Sequence, residues 1–105
     1  MNKMDIKIVN ELKEKLENIC EILDVKIFGS RVKGKADKYS DLDVFIEVKE
    51  MNYELKDKIY DAVWEVGFAN SVFISPVIFT KYEIENTPLK HSPLLINIRK
   101  EGITI

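Results

Sequence analysis

Apolar residues in the first 23 positions recur at steps of three and four, with Lys and Glu between them. That spacing places one apolar stripe along an α-helix. It predicts an amphipathic helix over residues 3–23. The stripe consists of Ile6, Val9, Leu12, Leu16, Ile19 and Leu23.

Two short apolar runs, residues 25–28 and 41–48, predict a first and a second strand. In the second run the even-numbered residues are all apolar, whereas most odd-numbered ones are acidic. Side chains alternate between the two faces of a strand. We therefore expect the even face to pack on helices and the odd face to reach water, metal or substrate. The odd-numbered residues are Asp41, Asp43, Phe45 and Glu47.

A helix predicted over residues 51–68 carries two apolar stripes, one aliphatic and one aromatic, on nearly opposite sides. A helix that is apolar on two sides is either enclosed within its own chain or half covered by a partner. The pattern leaves both interpretations open. The aliphatic stripe is Leu55, Ile59, Ala62, Val63 and Val66, and the aromatic stripe is Tyr53, Tyr60, Trp64 and Phe68.

The remaining residues predict a third strand over 71–79, two short helices and a terminal strand. Pro76 places the third strand at a sheet edge or a bulge. Thr80 and Glu83 fit a capping box, Pro93 fits the first position of the last helix, and Gly102 fits its end. The element order predicts one α/β or α+β domain over residues 1–105, with a small mixed β-sheet covered by helices on one face.

Composition narrows the functional classes. Hydrophobic residues make up 46% and charged residues 32% of the 105, and the net charge is −2. This balance is typical of a soluble globular domain and argues against a membrane span or stable nucleic-acid binding. Cys20 is the single cysteine, which excludes an internal disulfide and suits a reducing cytoplasm.

Candidate chemistry lies between the first two strands. Asp41 and Asp43 are two positions apart, which puts their side chains on one face at roughly 6–7 Å along a strand. Carboxylates at that separation can hold hard divalent cations, and Mg²⁺ favours one or two carboxylates together with phosphate oxygens. A phosphate-binding feature is therefore expected nearby.

The preceding loop supplies such a feature. Gly29 permits a sharp turn and a close approach to a ligand, and Ser30 adds a hydroxyl and an N–H. Arg31 offers a planar fork for phosphate in a chain that otherwise uses lysine almost throughout. Taken singly, each feature is an ordinary turn or a solvated residue. Together they favour phosphoryl or nucleotidyl transfer. The other basic residues here are Lys26, Lys33, Lys35 and Lys38.

The segments Phe28 to Gly34 (FGSRVKG) and Ser40 to Val44 (SDLDV) resemble the signature of the minimal nucleotidyltransferases, in the polymerase-beta-like superfamily. The resemblance implies a nucleotidyltransferase fold and transfer of AMP from ATP, with Mg²⁺, to an acceptor hydroxyl. Many family members are antitoxins that adenylylate a tyrosine on a HEPN ribonuclease toxin, so a hetero-oligomer is also implied. Carried over by position, Gly29 and Ser30 hold the triphosphate, Arg31 contacts it, and Asp41 and Asp43 bind metal and catalyse the transfer.

The chain departs from that pattern on its third predicted strand. Active family members usually carry a third carboxylate there as the base for the acceptor hydroxyl, but residues 71–79 contain no acid. Glu47, Glu83 and Glu85 are the nearby substitutes. The alternative to an enzyme is therefore a catalytically weakened module that binds nucleotide and masks a partner. A small-molecule adenylyltransferase is disfavoured by the chain length, because such enzymes usually add a second domain.

Overall fold

A computed structural model describes residues 2–37 and 39–105. The first helix begins at Lys3, where the Asn2 side chain accepts a hydrogen bond from the Met4 N–H. It ends at Glu17, before the predicted end at residue 23, because Ile22 and Leu23 belong to the first strand. The elements are α1 (Lys3–Glu17), β1 (Ile22–Phe28), β2 (Leu42–Val48), α2 (Tyr53–Ala69), β3 (Ile74–Thr80), α3 (Lys81–Asn86), a 3₁₀ turn (Pro88–His91), α4 (Pro93–Glu101) and β4 (Ile103–Thr104).

The four strands form one mixed sheet in the order β3-β2-β1-β4. Strand β1 pairs antiparallel with β2 and with β4, whereas β2 and β3 are parallel. The predicted α+β class with a small mixed sheet is thus confirmed. Pro76 lies in β3, an edge strand, where a residue without an N–H is tolerated.

The main core lies between the sheet and the helices α1 and α2. All four even-numbered residues of β2 are buried there, as their alternation predicts. They pack with aliphatic side chains from both helices, among them Leu12, Leu16, Ile59 and Val66. The helices α1 and α2 therefore cover this face of the sheet.

The opposite face carries a second, smaller core that the sequence pattern did not reveal. Phe45 is only 1% exposed and packs with Ile84, Leu95 and Ile98 of α3 and α4. Helices therefore cover both faces of the sheet and not one face as predicted, so the odd face of β2 does not reach water along its whole length. Along this face Asp41 is exposed, Asp43 and Glu47 are half-buried, and Phe45 is buried.

The ends of the short helices follow their predicted caps. Thr80 and Glu83 form the capping box, Pro93 occupies the first turn of α4, and Gly102 ends that helix. Within the described parts of the chain, no helix combines the length and apolarity needed to cross a bilayer.

The aromatic stripe of α2 is not enclosed by the chain. Tyr53, Tyr60, Trp64 and Phe68 are 89%, 45%, 64% and 78% exposed. The interpretation in which this helix is enclosed within its own chain is therefore wrong for the aromatic side. The other interpretation, coverage of this side by a partner, stays a prediction.

Candidate active site

Gly29 and Asp43 are brought together by the register of β1 and β2. Phe28 pairs with Asp43, so the chain turns at Gly29 directly beside that carboxylate. Gly29 has a φ of +82°, and a Cβ built on it would lie 2.2 Å from Asp43 Oδ2. Glycine is therefore required here for both its backbone conformation and its lack of a side chain.

The backbone after Gly29 folds into a compact turn. The N–H groups of Val32 and Lys33 donate to the Gly29 carbonyl at 3.1 and 3.3 Å, and Lys35 N–H donates to the Ser30 carbonyl at 3.1 Å. The Ser30 hydroxyl makes no hydrogen bond to any described residue, which leaves it available to a ligand. The contact of Gly29 and Ser30 with a triphosphate stays a prediction.

Asp41 and Asp43 lie at the beginning of β2, with Asp41 exposed and Asp43 half-buried. Burial raises the pKa of the Asp43 carboxyl above its ordinary value, and the negative charge of Asp41 raises it further, while Arg31 acts in the opposite direction. The two acids are thus close enough to repel each other. A divalent cation between them would relieve that repulsion.

The donors fit Mg²⁺ better than a metal with a closed protein shell. Among residues 2–37 and 39–105, no three His, Cys, Asp or Glu side chains are grouped so as to hold a metal. Two carboxylates beside the Gly29 turn match the preference of Mg²⁺ for few protein ligands plus water and phosphate oxygens.

Arg31 has partners that the sequence did not predict. Its Nη1 donates to Asp5 Oδ1 at 2.7 Å, and its Nη2 and Nε donate to the Ser40 carbonyl at 2.6 and 3.2 Å. The Arg31 side chain is only 12% exposed. A contact of Arg31 with a triphosphate stays a prediction. All three nitrogens of its guanidinium already donate hydrogen bonds within the chain.

Asp5 is the buried polar residue that sequence reasoning missed. Its side chain is 4% exposed, on the same side of α1 as Val9, Leu12 and Leu16. The sequence did contain a signal for this burial: Asp5 lies four residues before Val9 and seven before Leu12, which puts its charge on the apolar stripe of the helix. Such a buried charge requires a partner.

The other basic residues of the loop are mostly engaged or exposed. Lys26 Nζ lies 2.6 Å from Thr104 Oγ1 and 3.6 Å from Asp24, and Lys33 pairs with Glu101 at 3.2 Å. Lys35 is exposed. Lys38, the remaining member of the predicted basic loop, lies outside the described residues.

The structure places Ser75 of β3 opposite Asp43, where a third carboxylate would be expected. Glu83 accepts the Thr80 N–H in the capping box, and Glu85 pairs with Lys81. Neither is positioned at the Asp43 end of the sheet, since both belong to the helix that follows β3.

Glu47 is also remote from the site. It pairs with Asp24, four residues along β2 from Asp43, which corresponds to roughly 13 Å of strand. Burial raises the pKa of the Glu47 carboxyl, with Asp24 as the next contribution in the same direction. Glu47 therefore occupies a separate environment beneath α3 and α4 and does not replace the third acid.

Comparison with known proteins identifies the family of this chain. The nucleotidyltransferase domain family matches residues 6–104. A relative from Methanocaldococcus jannaschii, "Putative protein adenylyltransferase MJ0141", is 38% identical over 79 residues, covering 72% of this chain and 80% of that protein.

Solved structures show the same fold at low sequence identity. A chain of a toxin-antitoxin crystallised with AMP-PNP has a TM-score of 0.62 and 14% identity, covering 95% of this chain and 70% of that one. A mutant of the toxin-antitoxin MntA-HpeT has a TM-score of 0.62 and 13% identity, covering 99% and 72%. A nucleotidyltransferase-like structure from Sulfolobus solfataricus has a TM-score of 0.51 and 19% identity, covering 99% and 87%. The chain belongs to the nucleotidyltransferase domain family and is a nucleotidyltransferase.

Proposed function

We propose that this chain transfers AMP from ATP, with Mg²⁺, to a tyrosine hydroxyl of a HEPN-type toxin and thereby acts as its antitoxin. The observation that supports the transfer is the close approach of the Gly29 backbone to Asp43, because the turn that we propose to bind phosphate then lies beside the paired acids. The name of the relative from Methanocaldococcus jannaschii and the toxin-antitoxin neighbours support a protein acceptor.

In the proposed reaction the acceptor oxygen forms a bond to the α-phosphorus of ATP. The bond from that phosphorus to the bridging oxygen breaks, pyrophosphate leaves, and the hydroxyl proton passes to water. Gly29 and Ser30 orient the triphosphate through the turn, and Asp41 and Asp43 would hold Mg²⁺. When bound, that ion would offset the charge of the triphosphate and the leaving pyrophosphate.

An exposed apolar groove supports a protein as the acceptor. It has a volume of about 550 Å³ and lies between the C-terminal half of α2 and the start of β3. Phe73 is one of the residues that line the groove, and its carbonyl accepts a hydrogen bond from the Leu42 N–H. The groove therefore reaches the same end of β2 as the two acids. Aromatic surface of this kind marks protein interaction sites more often than ordinary solvent-facing surface. Its lining includes Val63, Trp64, Phe68, Val72, Phe73 and Ile74.

The direct test uses the full chain with ATP, Mg²⁺ and a HEPN-type toxin from the same organism. We expect intact mass spectrometry to detect AMP added to the toxin, and peptide mapping to place it on a tyrosine. Omitting Mg²⁺ or replacing ATP by a non-hydrolysable α,β analogue is the control and is expected to abolish the adduct. A toxin that is neutralised without any adduct would contradict transfer.

A second candidate function is favoured by Ser75, which occupies the position opposite Asp43 where an acid would accept the proton. Loss of a general base typically costs 10²–10⁴-fold in rate. A chain weakened to that degree would neutralise the toxin by covering it. In that case an Asp41→Asn/Asp43→Asn double variant would neutralise the toxin as well as the wild type does.

Both candidate functions predict that the exposed apolar groove contacts the toxin. We expect Trp64→Ala to weaken the complex with the toxin by at least 1.4 kcal/mol, about tenfold in Kd, because aromatic anchors dominate interfaces. Tyr82→Ala is the matched control, since Tyr82 is 68% exposed on α3, compared with 64% for Trp64. Isothermal titration of each variant against the toxin measures the effect. Equal affinities for the two variants would exclude this groove as the interface.

A further inference from the structure

Asp5 is the buried charged residue that the proposed transfer does not use. It is 3% exposed in the first turn of α1, and its Oδ1 lies 2.7 Å from Arg31 Nη1. An ionised carboxylate at such depth is costly unless it is paired and hydrogen-bonded. Arg31 supplies that pairing, so the start of α1 is tied to the loop that follows β1.

Arg31 carries the connection onward to the acidic pair. Its Nη2 and Nε both donate to the Ser40 carbonyl, at 2.6 and 3.2 Å. That carbonyl belongs to the peptide group joining Ser40 to Asp41. On the other side of Asp41, the Leu42 N–H donates to the Phe73 carbonyl at 2.9 Å. The backbone is therefore held on both sides of Asp41.

We propose that Asp5 is a positioning residue that acts through Arg31 to fix the Ser40–Asp41 peptide, and with it the divalent-cation site of Asp41 and Asp43. The inference rests on the proposed function, because it concerns the metal-binding pair of that site. Partners that orient metal ligands typically change metal affinity or activity by 10–100-fold when they are removed.

The fork of Arg31 is what makes this connection possible. A guanidinium is planar and presents several N–H groups in fixed directions, so it can reach a carboxylate and a carbonyl together. Lysine keeps the positive charge but is a compact point charge without this geometry. Arg31→Lys therefore separates positioning from simple charge.

The test measures Mn²⁺ binding to the nucleotide-free full chain, by the electron paramagnetic resonance signal of free Mn²⁺. We expect Asp5→Asn and Arg31→Lys each to weaken binding by about 10–100-fold. Because a single change can also destabilise the fold, a double variant, Asp5→Leu/Arg31→Met, removes both charges together. Replacing both members of a buried ion pair by apolar residues is often neutral for stability, so its melting temperature shows whether it folds.

A merely structural role predicts that the folded double variant binds Mn²⁺ as the wild type does, and that result would overturn the inference. Wild-type Mn²⁺ affinity in Arg31→Lys would also overturn it, since a positive charge at residue 31 would then be enough for metal binding. A direct contact of Arg31 with the triphosphate predicts lower ATP affinity but unchanged Mn²⁺ affinity, which counts against positioning as well.

The matched control removes an exposed ion pair that joins α1 to α2. Lys15 and Glu65 lie 2.7 Å apart with side chains 46% and 61% exposed. Lys15→Met/Glu65→Met is expected to leave Mn²⁺ binding unchanged. A wild-type chain that binds no Mn²⁺ would refute the proposed metal site itself, and this inference with it. Normal binding in the wild type and in Asp5→Asn would refute the positioning role alone.

Discussion

Asp43→Asn is expected to reduce AMP transfer by at least about 100-fold, the scale of removing one preorganised electrostatic group from an active site. Asn keeps the size of the side chain beside Gly29 but loses the negative charge that would hold a divalent cation. The measurement is the initial rate of AMP incorporation into the toxin at saturating ATP and Mg²⁺.

The same substitution is not expected to unfold the protein. Asp43 is half-buried near Asp41, and both burial and that neighbouring charge disfavour its ionised form. Removing the charge therefore removes a cost to the folded state. The melting temperature of Asp43→Asn without metal should equal or exceed that of the wild type. If Asp43→Asn had both lower activity and a lower melting temperature, the loss of AMP transfer would be explained by a destabilised fold.

Glu47→Gln is the matched control for Asp43→Asn. Both acids point to the same side of β2, both are half-buried, and burial is the first cause of a raised pKa at each. Only Asp43 lies beside the Gly29 turn. Glu47→Gln is therefore expected to keep wild-type transfer. A comparable loss in Glu47→Gln would mean that general charge on this face of the sheet matters, and not the Asp43 position.

Local spacing was enough to predict much of this site. The alternation in β2 identified its buried face, and Gly29, Ser30 and the two acids follow each other within one strand-turn-strand unit. Such signals depend on residues close in sequence, where the periods of helix and strand determine which side chains share a face.

The parts that were missed depend on distant residues. Phe45 has the same alternation as its acidic neighbours, and only the packing of α3 and α4 buries it. Asp5 and Arg31 are 26 positions apart, so no periodic pattern connects them. The exposure of Trp64 likewise depends on which helices the chain places near α2.

The early end of α1 has a similar origin. Ile19 and Leu23 continue the helical period of the residues before them, which extends the predicted helix to residue 23. In the fold, Ile22 pairs with Val48 and becomes part of β1. Pairing with a distant strand thus overrides a local helical pattern, because tertiary contacts contribute more than intrinsic propensity.

Gly29→Ala and Gly34→Ala together test whether the turn and Asp43 form one unit. Both glycines have positive φ, +82° and +71°, so an alanine at either position incurs backbone strain of about 1–2 kcal/mol. They differ in their surroundings. A Cβ at Gly34 meets nothing within 4 Å, whereas a Cβ at Gly29 would lie 2.2 Å from Asp43 Oδ2 and displace that carboxylate.

We therefore expect Gly34→Ala to lose stability but to keep most of its transfer activity. Gly29→Ala should lose more stability and, in addition, about 100-fold in rate, the scale associated with a misplacement of about 1 Å in an active site. Urea unfolding measures the first quantity and AMP incorporation the second. If both variants lost activity in proportion to stability, the turn would act only as a structural link. A selective loss in Gly29→Ala would instead show that catalysis requires the bare backbone of residue 29 beside Asp43.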